Sequence, residues 1–224
     1  MAEDSGLIRV RVWDPWIRLV HWAVVLFIPL SWWTAEIGRW DWHFVSGSAV
    51  LALLVFRLAW GLVGSDTARF SRFLRSPVEG LRHLAHLGRR EPDREIGHNA
   101  AGGWMVLVLL AVMLVQAVTG LFSDTGILDR GPLASFVSGA WSDRLTAVHH
   151  VTFNLILALA ALHVLAVLAY AVLKRQDLVR PMVTGEKRLP AEDLPKAPRL
   201  GPAWLALLLL AIAAAGSTAI YRLG

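Results

Sequence analysis

Five long runs dominated by apolar residues alternate with polar stretches: Trp16 to Trp33, His43 to Val63, Gly102 to Phe122, Leu145 to Leu173 and Pro202 to Tyr221. Each is long enough to cross about 30 Å of hydrocarbon as a helix, so the pattern predicts five transmembrane helices. Asp14-Pro15 supplies an N-cap and a proline at the first helical position, which starts the first helix there. That helix carries a histidine and several tryptophans and has no small-residue cleavage site before Glu36, so it reads as a retained span rather than a signal peptide. Trp13, Trp16, Trp32, Trp33, Trp40, Trp42, Trp60, Trp141 and Trp204 fall near the predicted helix ends, where an interfacial aromatic belt belongs. Leu189 to Pro202 is proline-rich and reads as an extended connector before the last span.

Composition agrees with this picture. Of 224 residues, 56% are hydrophobic and only 17% charged, less charge than a soluble surface of that size carries. The net charge of +5 raises the thought of nucleic acid, but the basic residues lie between the apolar runs and read as topology signals instead. Arg9, Arg11 and Arg18 sit around the N-terminal arm. Arg69, Arg72, Arg75, Arg82, Arg89, Arg90 and Arg94 occupy the second connection, and Lys174, Arg175, Arg180, Lys187, Arg188, Lys196 and Arg199 the fourth. The other two connections hold only Arg39, Arg130 and Arg144. This bias puts the N-terminus and those two loops in the cytoplasm and the C-terminus outside, for a multi-pass membrane protein. With no cysteine, covalent c-type haem attachment, cysteine-ligated iron–sulfur clusters, zinc–thiolate sites and disulfides are excluded.

Histidines carry the candidate chemistry. His149 and His163 are 14 residues apart on one predicted helix, within about 40° of the same face and separated by a rise of about 21 Å. His150 points about 140° away from His163, which makes His149 the inward member of the adjacent pair. Topology then matches depths: His43, at the outer start of the second helix, with His149, and His21, inside the cytoplasmic start of the first, with His163. Two facing imidazoles supply both axial positions of a haem iron and leave no open site, which suits electron transfer. Arg57 follows His43 by 14 residues, at the cytoplasmic end of nearly the same face, as a propionate partner or a snorkelling cation. His98, at the mouth of the third helix, is either a headgroup, propionate or quinone contact or a solvated helix start. His83 and His86 lie in the basic loop and read as surface residues. Gly47, Ala160 and Gly102-Gly103 allow close packing around something bulky. Two other readings stay open: a non-redox membrane anchor or assembly subunit whose histidines serve packing, and a non-haem transition-metal membrane protein built on His149 and His150.

Several motifs resemble those of a known family. Val12-Trp13-Asp14 with Arg18-Leu19-Val20-His21-Trp22, His43 with Gly47, Arg57 to Gly64 leading into Ala68-Arg69-Phe70, Gly97-His98-Asn99 with Gly102-Gly103, and His149 with His163 occur in order over residues 10 to 185. Together they resemble the bacterial cytochrome b561 group, particularly the b-type cytochrome subunit of nickel-iron hydrogenases. The resemblance implies four core helices, two haems b held by His21, His43, His149 and His163, and electron exchange with a membrane quinone or quinol, as a quinone oxidoreductase component of a complex. It also places the quinone near the cytoplasmic haem, with His98, Asn99 and Arg72 as candidates. Ala100 stands where the hydrogenase-like pattern commonly has proline, which leaves a soluble cytochrome c beside a hydrogenase as the periplasmic partner. The expectation is thus an all-α integral membrane protein: a four-helix di-haem domain over residues 1–185, then a connector and a fifth transmembrane helix over 186–224. The fifth carries no histidine and is expected to serve packing or partner docking, and self-association into a homo-oligomer is compatible with the chain.

Overall fold

The computed structural model describes residues 7–85, 95–126, 130–190 and 197–223. Five helices are long and apolar enough to cross a membrane: α1 (Pro15–Glu36), α2 (Trp40–Val63), α5 (Ala100–Leu121), α6 (Gly139–Leu173) and α8 (Ala203–Tyr221). Between them lie the short helices α3 (Phe70–Phe73), α4 (Pro77–Ala85) and α7 (Val179–Thr184). Many large apolar side chains on the spans are exposed in the isolated chain, Val172 and Leu62 among them, because lipid is the solvent they face. His86, Arg89, Arg90, Arg94 and Lys196 lie outside the described residues.

The start of α1 follows from its sequence. Asp14 stands extended at the N-cap, its Oδ1 accepts from the backbone N–H of Ile17 at 2.8 Å, and Pro15 occupies the first turn. The carboxylate is buried, and its Oδ2 accepts from Trp60 Nε1 at 3.0 Å, so the cap also ties α1 to the end of α2. Trp60 in turn stacks on Phe56, with ring centres 5.9 Å apart. Val12, Trp13, Ile17, Val20, Leu53, Phe56, Trp60, Ala68, Ala206 and Ala213 form one core at this end of the bundle. A second cluster of Val50, Leu54, Leu110, Met113 and Ile156 fills the middle.

Three features depart from the expected outline. A two-stranded antiparallel ribbon, β1 (Leu7–Arg11) with β2 (Glu186–Pro190), joins the N-terminal arm to the stretch after α7, with Val10 opposite Lys187. Beyond β1, the N–H groups of Val12 and Trp13 both donate to the carbonyl of Gly185, at 2.8 and 3.1 Å. Gly185 has φ +85°, and a Cβ there would stand 2.8 Å from the Trp13 carbonyl, so only glycine suits this corner. Helix α6 runs 35 residues and begins at Gly139 rather than Leu145. Its polar first turns are held by Ser142, whose Oγ donates to the Phe122 carbonyl at the end of α5 at 2.6 Å, a contact that hydropathy does not register. Helix α2 likewise begins at Trp40, three residues before the apolar run, after a tight turn closed by Arg39 N–H on the Thr34 carbonyl at 2.8 Å.

Helices pair as α1 with α2 and α5 with α6, with α2 also against α5 and α8 packed on α2. Ile156 of α6, buried in the middle cluster, is seven residues from both His149 and His163. An apolar layer therefore separates the two histidine levels.

Candidate functional site

At the end of the bundle that the charge bias predicts to face outward, the outer level, His43 and His149 face each other with ring centres 6.3 Å apart and planes at 80°. At the inner level, the rings of His21 and His163 are 6.4 Å apart at 60°. Each pair joins helices far apart in the chain, α2 with α6 and α1 with α6. Two imidazole nitrogens bound in line to one metal at about 2.0–2.1 Å, each about 1.1 Å from its ring centre, put the centres about 6.3 Å apart. Both separations match that spacing.

The outer pair is oriented by neighbouring backbone. His43 Nδ1 lies 2.8 Å from the carbonyl oxygen of Ser31 in α1, and His149 Nδ1 lies 2.9 Å from that of Gln116 in α5. A carbonyl can only accept, so each Nδ1 carries a proton, and in the neutral ring Nε2 then keeps its lone pair. That arrangement is the usual support of a metal-binding histidine. The Gln116 side chain completes the surround: its amide nitrogen donates to His149 Nε2 at 3.0 Å, and its oxygen accepts from Thr152. Gly120 lies against the ring, and a Cβ there would stand 2.8 Å from His149 Cε1. On the opposite side Gly47 has nothing within 4 Å of where its Cβ would be. It opens into a cavity of about 450 Å³, lined also by His43, His149, Phe44, Met113, Gln116 and Phe153, within the size range of a cofactor site.

The inner level is more aromatic. His21 meets Trp22 edge-on, with ring centres 4.9 Å apart, and its buried Nδ1 has no hydrogen-bond partner among the described residues. His98 is held between Trp13 and Phe73, at 4.6 and 4.5 Å. It is therefore packed rather than solvated at the helix start. Burial, reinforced by the Arg57 guanidinium and His163 nearby, pushes His98 down to about 3, so it is neutral at physiological pH. Its Nδ1 is also buried without a partner among the described residues. Arg57 is buried, lies 5.0 Å above the Phe70 ring, and donates from Nη1 to the Ala68 carbonyl at 3.3 Å. The guanidinium thus stays inside the bundle end instead of snorkelling to its surface.

The remaining candidates are spread around the same end. Asn99 caps α5, accepting from Gly102 N–H at 2.7 Å, and donates to the Tyr170 hydroxyl at 2.6 Å. Arg72 is largely exposed, 4.0 Å from Asp66. His83 departs from the expected surface role: its Nε2 meets the Tyr170 hydroxyl at 2.6 Å, because amphipathic α4 packs on α5 and turns the ring inward. His150 is exposed, and among the described residues no three histidine or carboxylate side chains converge as a metal cluster would require. Ala160 is exposed too, and Gly103 packs against Phe73. Gln116 was legible as a polar residue inside a strongly apolar run, a signal for function in its own right. Ser31 and Gly120 carried no such signal.

Paired imidazoles, an open volume beside one pair and an orphaned ring nitrogen at the other fit a flat iron cofactor clasped from both sides. Comparison with known proteins bears on the same question. No curated protein and no solved structure matches the chain. Residues 12–185 match the family model described as prokaryotic cytochrome b561, and the chain therefore belongs to that family of haem-bearing b-type membrane cytochromes, proteins of electron transfer.

Proposed function

We propose that the chain holds two haems b, one between His43 and His149 and one between His21 and His163, and passes electrons between a membrane quinone pool and a periplasmic redox protein. One observation carries the reading: four histidines meet two by two, at 6.3 and 6.4 Å, at two depths of one bundle. Held by two imidazoles, a haem would supply one-electron exchange.

The chain's own residues place and tune that chemistry. Ser31 and Gln116 carbonyls hold the outer rings by Nδ1, which leaves each Nε2 as the nitrogen a metal would take. The Gln116 amide lies against His149 Nε2, the nitrogen that would bind a metal. Ile156 and its neighbours keep the intervening layer dry. At the inner end, Arg57 is a buried cation suited to a propionate. His98, Asn99 and Arg72 surround the end assigned to quinone, and neutral His98 offers a ring nitrogen without a partner among the described residues. The Lys/Arg bias supports a cytoplasmic N-terminus and a periplasmic C-terminus in the bacterial inner membrane. On that orientation His149 lies near the outer face, where a hydrogenase or a soluble cytochrome c would exchange electrons.

An absorption spectrum with a pyridine-haemochrome assay tests this. Two haems b per chain are expected, and none would sink the proposal. His21→Ala and His43→Ala should each lose a different haem; loss of the same haem from both would overturn the pairing by depth.

A further inference from the structure

We propose that α8, which lies beyond the residues matched to the family, is a wall of the outer cofactor pocket, with Ser217 and Tyr221 keeping lipid and water from the site. The assignment rests on the reading that His43 and His149 clasp a haem. Both α8 residues line the cavity that contains those histidines. They lie on one stripe of the helix: Ala206, Ala213, Ser217 and Tyr221 follow at spacings of seven, four and four residues. Ala206 and Ala213 are buried, and their small side chains let α8 approach α2 closely.

The register of that approach is fixed at both ends. At the inner end, Asp66 N–H donates to the Arg199 carbonyl at 3.0 Å, Arg199 N–H to Asp66 Oδ2 at 2.9 Å, and Gly201 N–H to Ser65 Oγ at 2.9 Å. At the outer end, Ser217 Oγ donates to the Ser48 carbonyl at 2.7 Å and lies 2.8 Å from the Ser48 hydroxyl. Ser48 lines the same cavity and follows Gly47, whose absent side chain opens it. Ser217 is thereby buried at the back of the pocket, while Tyr221, 37% exposed, stands at its rim in the last turn of α8. A ring at the rim keeps the site in a low dielectric, which favours the less charged ferrous state.

Redox titration of the full-length protein, with the two haem bands followed separately, reads this directly. The outer band is identified by its loss in His43→Ala. Tyr221→Ala should lower the midpoint potential of the outer haem, because water admitted at the rim stabilises ferric iron, and leave the inner potential unchanged. Ser217→Leu should narrow the cavity and reduce haem content from two towards one per chain. Should Ser217→Leu fail to fold, Tyr221→Ala decides, since its side chain is partly exposed at a helix end. An outer potential equal to the parent's in Tyr221→Ala, or equal shifts in both haems, would overturn the assignment. A parent protein with no haem at His43 and His149 would overturn the underlying reading together with it; two haems and an indifferent outer one would overturn the wall alone.

Discussion

Gly120 and His149 show how little room the outer pair leaves. A methyl at position 120 would stand 2.8 Å from His149 Cε1, a contact that real side chains do not tolerate, and the adjoining Nδ1 is tied to the Gln116 carbonyl. Gly120→Ala should therefore displace the imidazole and, with the two haems held as proposed, cut haem content to one per chain with the inner haem retained, as read by the haemochrome assay. Unchanged stoichiometry and an unchanged outer band would show that the ring is not confined there. A comparable constraint shapes the other end of the bundle, where Trp13 and Phe73 confine His98 and burial keeps it neutral.

Among the elements, α1 depends most on a single side chain. Asp14 caps its first turn and accepts from the Trp60 indole, so one buried carboxylate serves two helices. Asp14→Ala removes a cap of about 1 kcal/mol and leaves the indole N–H unsatisfied at about 1–3 kcal/mol, for a loss of about 2–4 kcal/mol. Thermal unfolding of the purified protein checks it, and a melting temperature equal to the parent's would contradict the double role. Helix α6 has the opposite character: it carries a histidine at both levels, and much of its apolar surface is exposed. The ribbon of β1 and β2 closes the bundle end by pairing segments about 180 residues apart.

Across the whole molecule, the latch at Asp66 links the loop after α2 to the entry of α8. The Arg199 N–H, with the Arg69 and Arg72 guanidinium groups adding, outweighs burial and holds the Asp66 carboxyl below its ordinary value. A carboxylate whose value is lower folded than unfolded contributes stability above its unfolded value, and that contribution is lost as pH falls through the folded one. Hydrogen exchange at Arg199, corrected for intrinsic rate, should therefore rise as pH drops below about 4. In Asp66→Ala the protection should be low already at neutral pH and lack this acid dependence. An acid response equal to the parent's would place the weak point elsewhere.

Hydropathy and helical period are local properties, and they sufficed to locate five spans, to start α1 at Asp14-Pro15 and to set His149 and His163 on one face at two depths. The charge bias then matched His43 and His21 to those depths, and the structure brings the same rings together. What a linear pattern does not encode is contact between distant segments. The carbonyls of Ser31 and Gln116 on the outer rings, the clearance at Gly120, the turn of His83 towards Tyr170 and the ribbon all arise where separately stable helices come to rest. So does the reach of α8 into the outer cavity: its sequence has no ligand to announce it, and only close packing on α2 carries Ser217 and Tyr221 to the level of His43. Chain-local energetics decided which segments cross the membrane, and side-chain complementarity between them decided what each site contains.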